Sequence, residues 1–446
     1  MTDNWNAIRG TLGRRRFLQA GTLAGAALAT VGRAARAQAK PEKLVFVGDN
    51  GPWHGVLVNE VGPAFEKETG IKVEYNLLPY DALGARLRAE LDSGSSGIDI
   101  VQWTPQMKGW LAQHLEDHEA LLRMAADKNP DYDWDDFLPA AKNLASSDGR
   151  LIGIPYRVTV AVIHYQKYLL DQVGITTPPG TFAELEAAAI ATTKAGAPDR
   201  YGLGIWGRQA QAIFSGFYPW LLSSGGKLYD PKTWDIHIND EAAVSALQWY
   251  GDLVTKYKVV PPGAMTWEWD GIVSGGQNDQ YAMSLMHSSY GTLINNNPQK
   301  SKTAGKWAWT TVPGATSPEQ GLTWISGWSF SVPTTTKNKD WAFEFIQFST
   351  SKTWLERSME SGNSPPRASV LNTPEVEKKF GWAPVSAKAL QTAVLEPADA
   401  IWPTLEVQLR PAISKVLLGQ TDAKQALDGV AADWQRSMRR AGLIAR

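Results

Sequence analysis

The feature that most constrains this chain is a regular alternation of strand and helix signals between Lys43 and Gln102. Residues 44–47 form a short apolar run ending at the turn cluster Gly48-Asp49-Asn50-Gly51-Pro52, which reads as a buried strand. An amphipathic stretch carrying Val56, Val61 and Phe65 follows and stops at Gly70. Residues 71–75 then alternate apolar and polar side chains with the period of a strand. Leu83, Leu87 and Leu91 recur four apart, on one helical face. After a Ser/Gly loop at 93–97, residues 98–102 supply the next strand. Strand–helix–strand–helix–strand with short connections predicts an α/β fold with a parallel, doubly wound sheet.

A second α/β region is expected over 158–321, and 446 residues allow two to three domains. Thr181 and Glu184 are spaced as a capping box behind Pro178-Pro179-Gly180. Asn239 is expected to cap a helix bearing Val244, Leu247, Gly251 and Val254 on one face. Asp422 is expected to cap another, with Ala426, Leu427, Val430, Ala431 and Trp434 on one stripe.

The first 39 residues read as an export signal. Arg14-Arg15-Arg16-Phe17-Leu18 precede a small-residue apolar run over 20–31, the pattern of a twin-arginine leader. That run is too short for a hydrocarbon core that needs about 20 residues. Cleavage is expected after Ala37 or Ala39, leaving 38 basic and 44 acidic groups and a periplasmic, freely soluble product. The absence of Cys excludes disulfides, thiolate metal sites, Cys nucleophiles and a lipid carried on cysteine, so the protein is not a lipoprotein. A net charge of −1 offers no basic face for nucleic acid.

Motifs for chemistry fail in context. Gly202-Leu203-Gly204-Ile205-Trp206-Gly207 spells a dinucleotide fingerprint, but the residues before it are polar and 203–206 itself reads as a strand. Asp131-x-Asp133-x-Asp135 starts like a calcium loop, yet Asp136 stands where Gly is needed and Lys142 where Glu is needed. It reads better as a helix N-terminus ahead of Phe137. None of the six His forms an HExxH pair, and neither a P-loop nor a G-x-S-x-G elbow is present. No catalytic residue, metal or cofactor is assigned. Because glycosidase carboxylates can lie far apart in sequence, a periplasmic glycosidase or lyase stands as one alternative. A receptor for a phosphorylated or acidic small solute stands as another.

A series of stretches, in order, resembles one family. They include Phe65-Glu66-Lys67-Glu68-Thr69-Gly70-Ile71-Lys72-Val73, Ile98-Asp99-Ile100-Val101-Gln102-Trp103, and Gly149-Arg150-Leu151-Ile152-Gly153-Ile154-Pro155-Tyr156. Phe217-Tyr218-Pro219-Trp220-Leu221-Leu222, Ala282-Met283-Ser284-Leu285-Met286 and Gly419-Gln420-Thr421 continue it. The chain resembles the family 1 extracellular solute-binding proteins of ABC importers, the group that includes maltodextrin binders. The resemblance implies a type II periplasmic-binding-protein fold with two discontinuous lobes joined by about three crossings. Residues 40–157 and 322–372 would form one lobe, and 158–321 and 373–446 the other. It further implies a monomeric, non-enzymatic receptor that closes on a sugar or polyol by hinge motion and docks on membrane permease subunits.

Sugars present apolar C–H faces edged by hydroxyls, so a site for them needs aromatic planes and polar groups together. Trp is unusually abundant here, at 20 against 13 Tyr and 12 Phe. Strand ends in an open α/β sheet point to Trp53 and Trp103, with Gln102, Thr104 and Gln106 alongside. Tyr156 and Arg157 fall at the expected hinge, where a guanidinium forks hydroxyls or a carboxylate. Trp267, Trp269 and Asp270 form the densest aromatic–acid cluster, read as a local strand with one indole stacking and the other packing. Gly327 and Trp328 enter a returning strand at the cleft floor. By resemblance, Tyr290 occupies a family aromatic position with His287 beside it, Arg367 matches a cleft-facing basic position, and Glu406 falls where the maltodextrin binder carries an aromatic.

Overall fold

In the computed structural model, which describes residues 40–371 and 373–445, the alternation after Lys43 becomes one side of a nine-stranded mixed sheet. The leader assigned at 1–39 lies outside the described residues. The first side comprises β1 (Lys43–Asp49), α1 (Gly62–Thr69), β2 (Lys72–Leu78), α2 (Tyr80–Asp92) and β3 (Ile100–Trp103). Both β2 and β3 pair parallel with β1. The chain continues through β4 (Ile154–Gln166), α3 (Phe182–Gly196), β5 (Tyr201–Gly204), α4 (Gln211–Ser223) and α5 (Glu241–Thr255). Then come α6 (Trp269–Gln277), β6 (Tyr281–His287), α7 (Tyr290–Asn295), β7 (Trp307–Thr310) and β8 (Trp324–Ser331). The last part adds β9 (Val394–Leu395), α8 (Trp402–Leu417) and α9 (Ala423–Arg440).

The strand order is β2-β1-β3-β8-β4-β6-β5, with β9 beside β8 and β7 beside β4. Two antiparallel strands, β4 and β8, therefore belong to both sides. Near Ile154, β4 pairs with Phe330 of β8, whereas at Ala161–Tyr165 it pairs with β6. The far end of β8 meets β3, and Trp324 meets Val394 of β9. All 13 residues of β4 are buried, the polar Arg157, Thr159, His164 and Gln166 included, as in a strand covered on both faces. Separate cores flank this pair: Leu44, Phe46, Phe65, Ile100 and Phe345 on one side, Leu203, Phe217, Leu247, Trp402 and Leu427 on the other.

Local signals act as their chemistry predicts at two helix starts. Thr181 and Glu184 make both bonds of the capping box on α3, and Asp422 accepts from the Gln425 N–H at the start of α9. Three expectations are corrected. Helix α5 is preceded by Asp240, and Asn239 instead donates its amide to Asp428 on α9 at 2.8 Å. The 131–136 acids form two short 3-10 turns with Asp133 at φ 53°, and Asp136 accepts from Arg367 and Ser369. The 267–270 segment is no strand, because α6 begins at Trp269. The expected lobe boundary after Arg157 falls inside β4, a strand that pairs with elements of both sides.

Gly327 sets how closely the shared strands approach. A Cβ at this position would stand 2.5 Å from the Arg157 carbonyl oxygen, and Gly327 faces Val158 in the register. No side chain fits without separating β8 from β4. Gly327→Val is expected to lower the unfolding free energy by about 1–3 kcal/mol in urea titration, and an unchanged midpoint would refute this steric account.

Candidate ligand site

The turn after β1 shapes one wall of a cavity. A Cβ on Gly51 would lie 2.2 Å from the Trp53 ring, so only glycine lets the indole fold back over the strand end. Its Nε1 then donates to Asp49 Oδ2 at 2.9 Å, and His54 Nε2 lies 2.6 Å from Asp49 Oδ1. Asp49 is held in turn by its backbone N–H, which donates to Gln102 Oε1 at 3.2 Å.

The shared strands form the floor. Alternate residues of a strand share a face, and Arg157 and Thr159 from β4 join Trp324, Ser326 and Trp328 from β8 in lining the cavity. The register pairs Trp328 with Arg157 and Ser326 with Thr159. Thr104 and Gln106 enter from the loop after β3, and Tyr80 from α2. The opposite wall is Gln211 and Ser215 of α4, Trp269 of α6, His287 at the end of β6, Tyr290 of α7, and Glu396 just beyond β9. The space, open mouth included, is about 510 Å³. An adjoining groove between α2 and α8, lined by Asp81, Trp110, Trp402, Glu406 and Arg410, shares Tyr80, Gln106 and Gln211 with it.

The walls touch across the site. The Trp53 and Tyr290 rings stack with centroids 5.8 Å apart and planes 13° apart. Arg157 is 3% exposed, with its guanidinium 5.2 Å from the Trp53 ring and 5.7 Å from the Trp328 ring. Its Nε and Nη1 make no hydrogen bond within the protein. The same holds for Thr159 Oγ1, Gln106 Oε1, His287 Nε2 and Tyr290 OH. A buried polar group left unpaired costs about 1–3 kcal/mol, and more when charged. Five such side chains on one cavity therefore mark a surface built to bond something that enters it. Indole planes between them add apolar area, the combination suited to a small polyhydroxylated solute.

Burial sets the protonation of this wall. His287 is held neutral, its pKa pushed well below the ordinary histidine range by desolvation and then by the Arg157 charge. The Glu396 carboxyl is pushed up to about 8, first by desolvation and then by the like charge of Glu406. Burial also raises the Tyr80 and Tyr290 phenols. Among the described residues, no group of three or more His, Asp or Glu is placed to hold a metal ion.

Of the residues singled out in the sequence, the cavity brings together Trp53, Thr104, Gln106, Arg157, Trp269, His287, Tyr290 and Trp328. The others are corrected. Trp103 is the last residue of β3 and shares the face of Val101; it packs among Leu83, Leu87 and Leu111 and donates Nε1 to Ser331 Oγ at 2.6 Å. Gln102 supports Asp49 from behind. Tyr156 points to the opposite face of β4 from Arg157, stacks 4.4 Å from Phe330 and accepts from Asn363 Nδ2 at 3.2 Å. Trp267 packs on Tyr281, and exposed Asp270 accepts from the next backbone N–H. Gly327 is a spacing residue. Arg367 is an internal brace, donating to the carbonyls of Thr350, Asp133 and Tyr132. Glu406 lies in the groove, bound by Arg410, which also reaches Asp81 across it at 3.2 Å.

Asp49, Tyr80, Thr159, Gln211, Ser215, Trp324, Ser326 and Glu396 complete the lining and are not among the site residues expected from the sequence. The strand-end argument used for Trp53 covers Asp49 equally. Period-two alternation from Arg157 and from Trp328 reaches Thr159, Ser326 and Trp324. Gln211 and Ser215 sit on an apolar helix and Glu396 follows a two-residue strand, and neither context carries a local signal. Trp103→Ala and Arg367→Ala are each expected to reduce the unfolding free energy by about 3–5 kcal/mol, one by cavity formation and one by orphaning a buried network. A denaturant midpoint near wild type for either would contradict its interior placement.

Comparison with known proteins now adds to this geometry. Residues 51–355 match the model of the bacterial extracellular solute-binding protein family. The chain is 27% identical over 331 residues to the erythritol/L-threitol-binding protein of Mycolicibacterium smegmatis, covering 69% of this chain and 67% of that one. It is 24% identical over 412 residues to the mannitol-binding protein of Pseudomonas aeruginosa, covering 84% and 88%. A crystal structure of an ABC transporter solute-binding protein from Agrobacterium radiobacter in complex with ribitol superposes with a TM-score of 0.80 at 23% identity, over 89% of this chain and all of that one. The architecture is the two-lobe periplasmic-binding-protein fold, and its relatives are binding proteins rather than enzymes. The chain belongs to the bacterial extracellular solute-binding protein family.

Proposed function

We propose that this protein captures a sugar or polyol between its lobes and delivers it to the membrane permease subunits of an ABC importer. The observation that carries this reading is a cavity where indole planes lie among buried, unpartnered hydrogen-bonding groups. The polyol ligands named for its relatives support it. On this reading Trp53, Trp269 and Trp328 cover the C–H faces, while Thr104, Gln106, Arg157, His287 and Tyr290 bond hydroxyls. The lobes are 40–157 with 322–372, and 158–321 with 373–446. A ligand held from both walls binds the closed form better than the open one, which is the condition for it to drive hinge closure. The twin-arginine leader takes the folded protein to the periplasm, where it works as a monomer without a lipid anchor.

The magnitudes suit micromolar capture. An affinity of 1 μM corresponds to about −8.2 kcal/mol. Two or three stacked rings contribute roughly 0.5–1.5 kcal/mol each beyond area burial, and bonds to charged groups about 1.5–3 kcal/mol each before association costs. Calorimetry of the mature chain with erythritol, L-threitol, ribitol and D-mannitol is expected to show one-to-one binding to at least one of them. Trp269→Ala should weaken that binding by about tenfold or more, since one lost stack and its burial exceed about 1.4 kcal/mol. No heat with any sugar or polyol would refute the assignment.

A further inference from the structure

Glu396 enters the cavity where the two sides of the protein meet. It is 5% exposed. Its Oε2 accepts from Gln106 Nε2 on the loop after β3, and its Oε1 accepts from Ser215 Oγ of α4 at 3.4 Å. Gln106 also donates to Ser326 Oγ of β8 at 3.4 Å. One carboxyl group thus touches elements from both walls and lines the same space as the indoles.

The charges around Glu396 do not neutralise it. Glu406 on α8 faces it with a like charge and is itself bonded by Arg410. Arg157, on the cavity floor, lies between Trp53 and Trp328, and Asp49 is engaged by Trp53 and His54. On its own segment, Asp399 accepts from Tyr229. Tyr80 of α2 and Tyr218 of α4 are phenols raised by burial, and His287 across the cavity is neutral. A buried carboxylate with no cation is costly, whereas the neutral acid is not, and the neutral acid has one O–H to give.

We propose that Glu396 binds the ligand as a neutral carboxylic acid, donating its O–H to one hydroxyl of an uncharged polyol, so that capture requires a proton on this side chain. The inference rests on the polyol-capture reading and names a residue and a protonation state for it. The sign of the pH dependence follows. With the carboxyl raised to about 8, the free protein carries the proton at neutral pH and loses it above. Binding in alkaline solution must then take up a proton, and affinity falls as pH rises. His287, lowered by burial, and the phenols, raised by it, titrate outside pH 7 to 9, and Glu396→Gln separates Glu396 from Glu406, whose carboxyl burial also raises.

The experiment is calorimetry with erythritol, ribitol and D-mannitol from pH 6.5 to 9.5, in buffers of differing ionisation enthalpy. For whichever polyol binds, Kd should be flat near neutrality and rise about tenfold between pH 7 and 9, with uptake of close to one proton at the alkaline end. Glu396→Gln cannot ionise, so whatever affinity it keeps at neutral pH should not change between pH 7 and 9. A wild-type Kd independent of pH, or the same alkaline loss in Glu396→Gln, overturns the inference. Should that variant not fold, as judged by its melting profile, proton uptake by the wild-type protein still decides the matter. Absence of heat with every polyol at every pH overturns the capture reading and this inference together, whereas binding without proton uptake overturns this inference alone.

Discussion

The structure depends on the antiparallel pairing of β4 with β8. Both strands run through the middle of the sheet and carry hydrogen bonds to each side, so each lobe is bounded by the same pair. Their common face is also the cavity floor. Arg157 and Thr159 project from one strand, Trp324, Ser326 and Trp328 from the other, and the register places guanidinium beside indole. One backbone ladder therefore fixes both the connection between lobes and the spacing of groups that line the cavity floor. The glycine at 327 is the steric condition for that ladder.

Around this floor Arg157, Thr159, Gln106, His287 and Tyr290 hold polar atoms away from water without an internal partner. Arg157 is stabilised by two aromatic faces rather than by a carboxylate, which leaves its fork of N–H donors free for hydroxyl oxygens. Asp49 has the opposite arrangement, with both oxygens already engaged by Trp53 and His54. The cavity thus offers one cation without an ion pair, neutral donors and acceptors, and a carboxyl at Glu396 whose charge burial suppresses.

The groove between α2 and α8 extends from this cavity and carries its own charge network. Arg410 reaches back to Glu406 on its own helix and across to Asp81 on the other side. Glu406, singled out in the sequence, lies in this groove and accepts from that arginine. Arg367 shows the same pattern deeper in the protein, where a basic residue expected in the cleft serves three backbone carbonyls. A long side chain's role follows from which carbonyls surround it, and those come from segments distant in sequence.

The sequence by itself determined the local order of this protein. Apolar runs of strand length, leucines at helical spacing, the Thr181 capping box and the Asp422 cap each act over a few residues, where propensity and periodicity decide. The resemblance of ordered stretches added the family, and strand-end placement brought Trp53 into the cavity. Which indole lines the cavity was decided only by the tertiary structure. Trp103 and Trp53 both lie at strand ends, but Trp103 shares a face with Val101 and belongs to the interior, whereas Gly51 turns Trp53 onto Asp49. Glu396 is legible only in three dimensions, because its environment is assembled from residues 106, 215, 326 and 406. Burial and pairing between such distant segments are products of packing, and no local pattern along the chain encodes them.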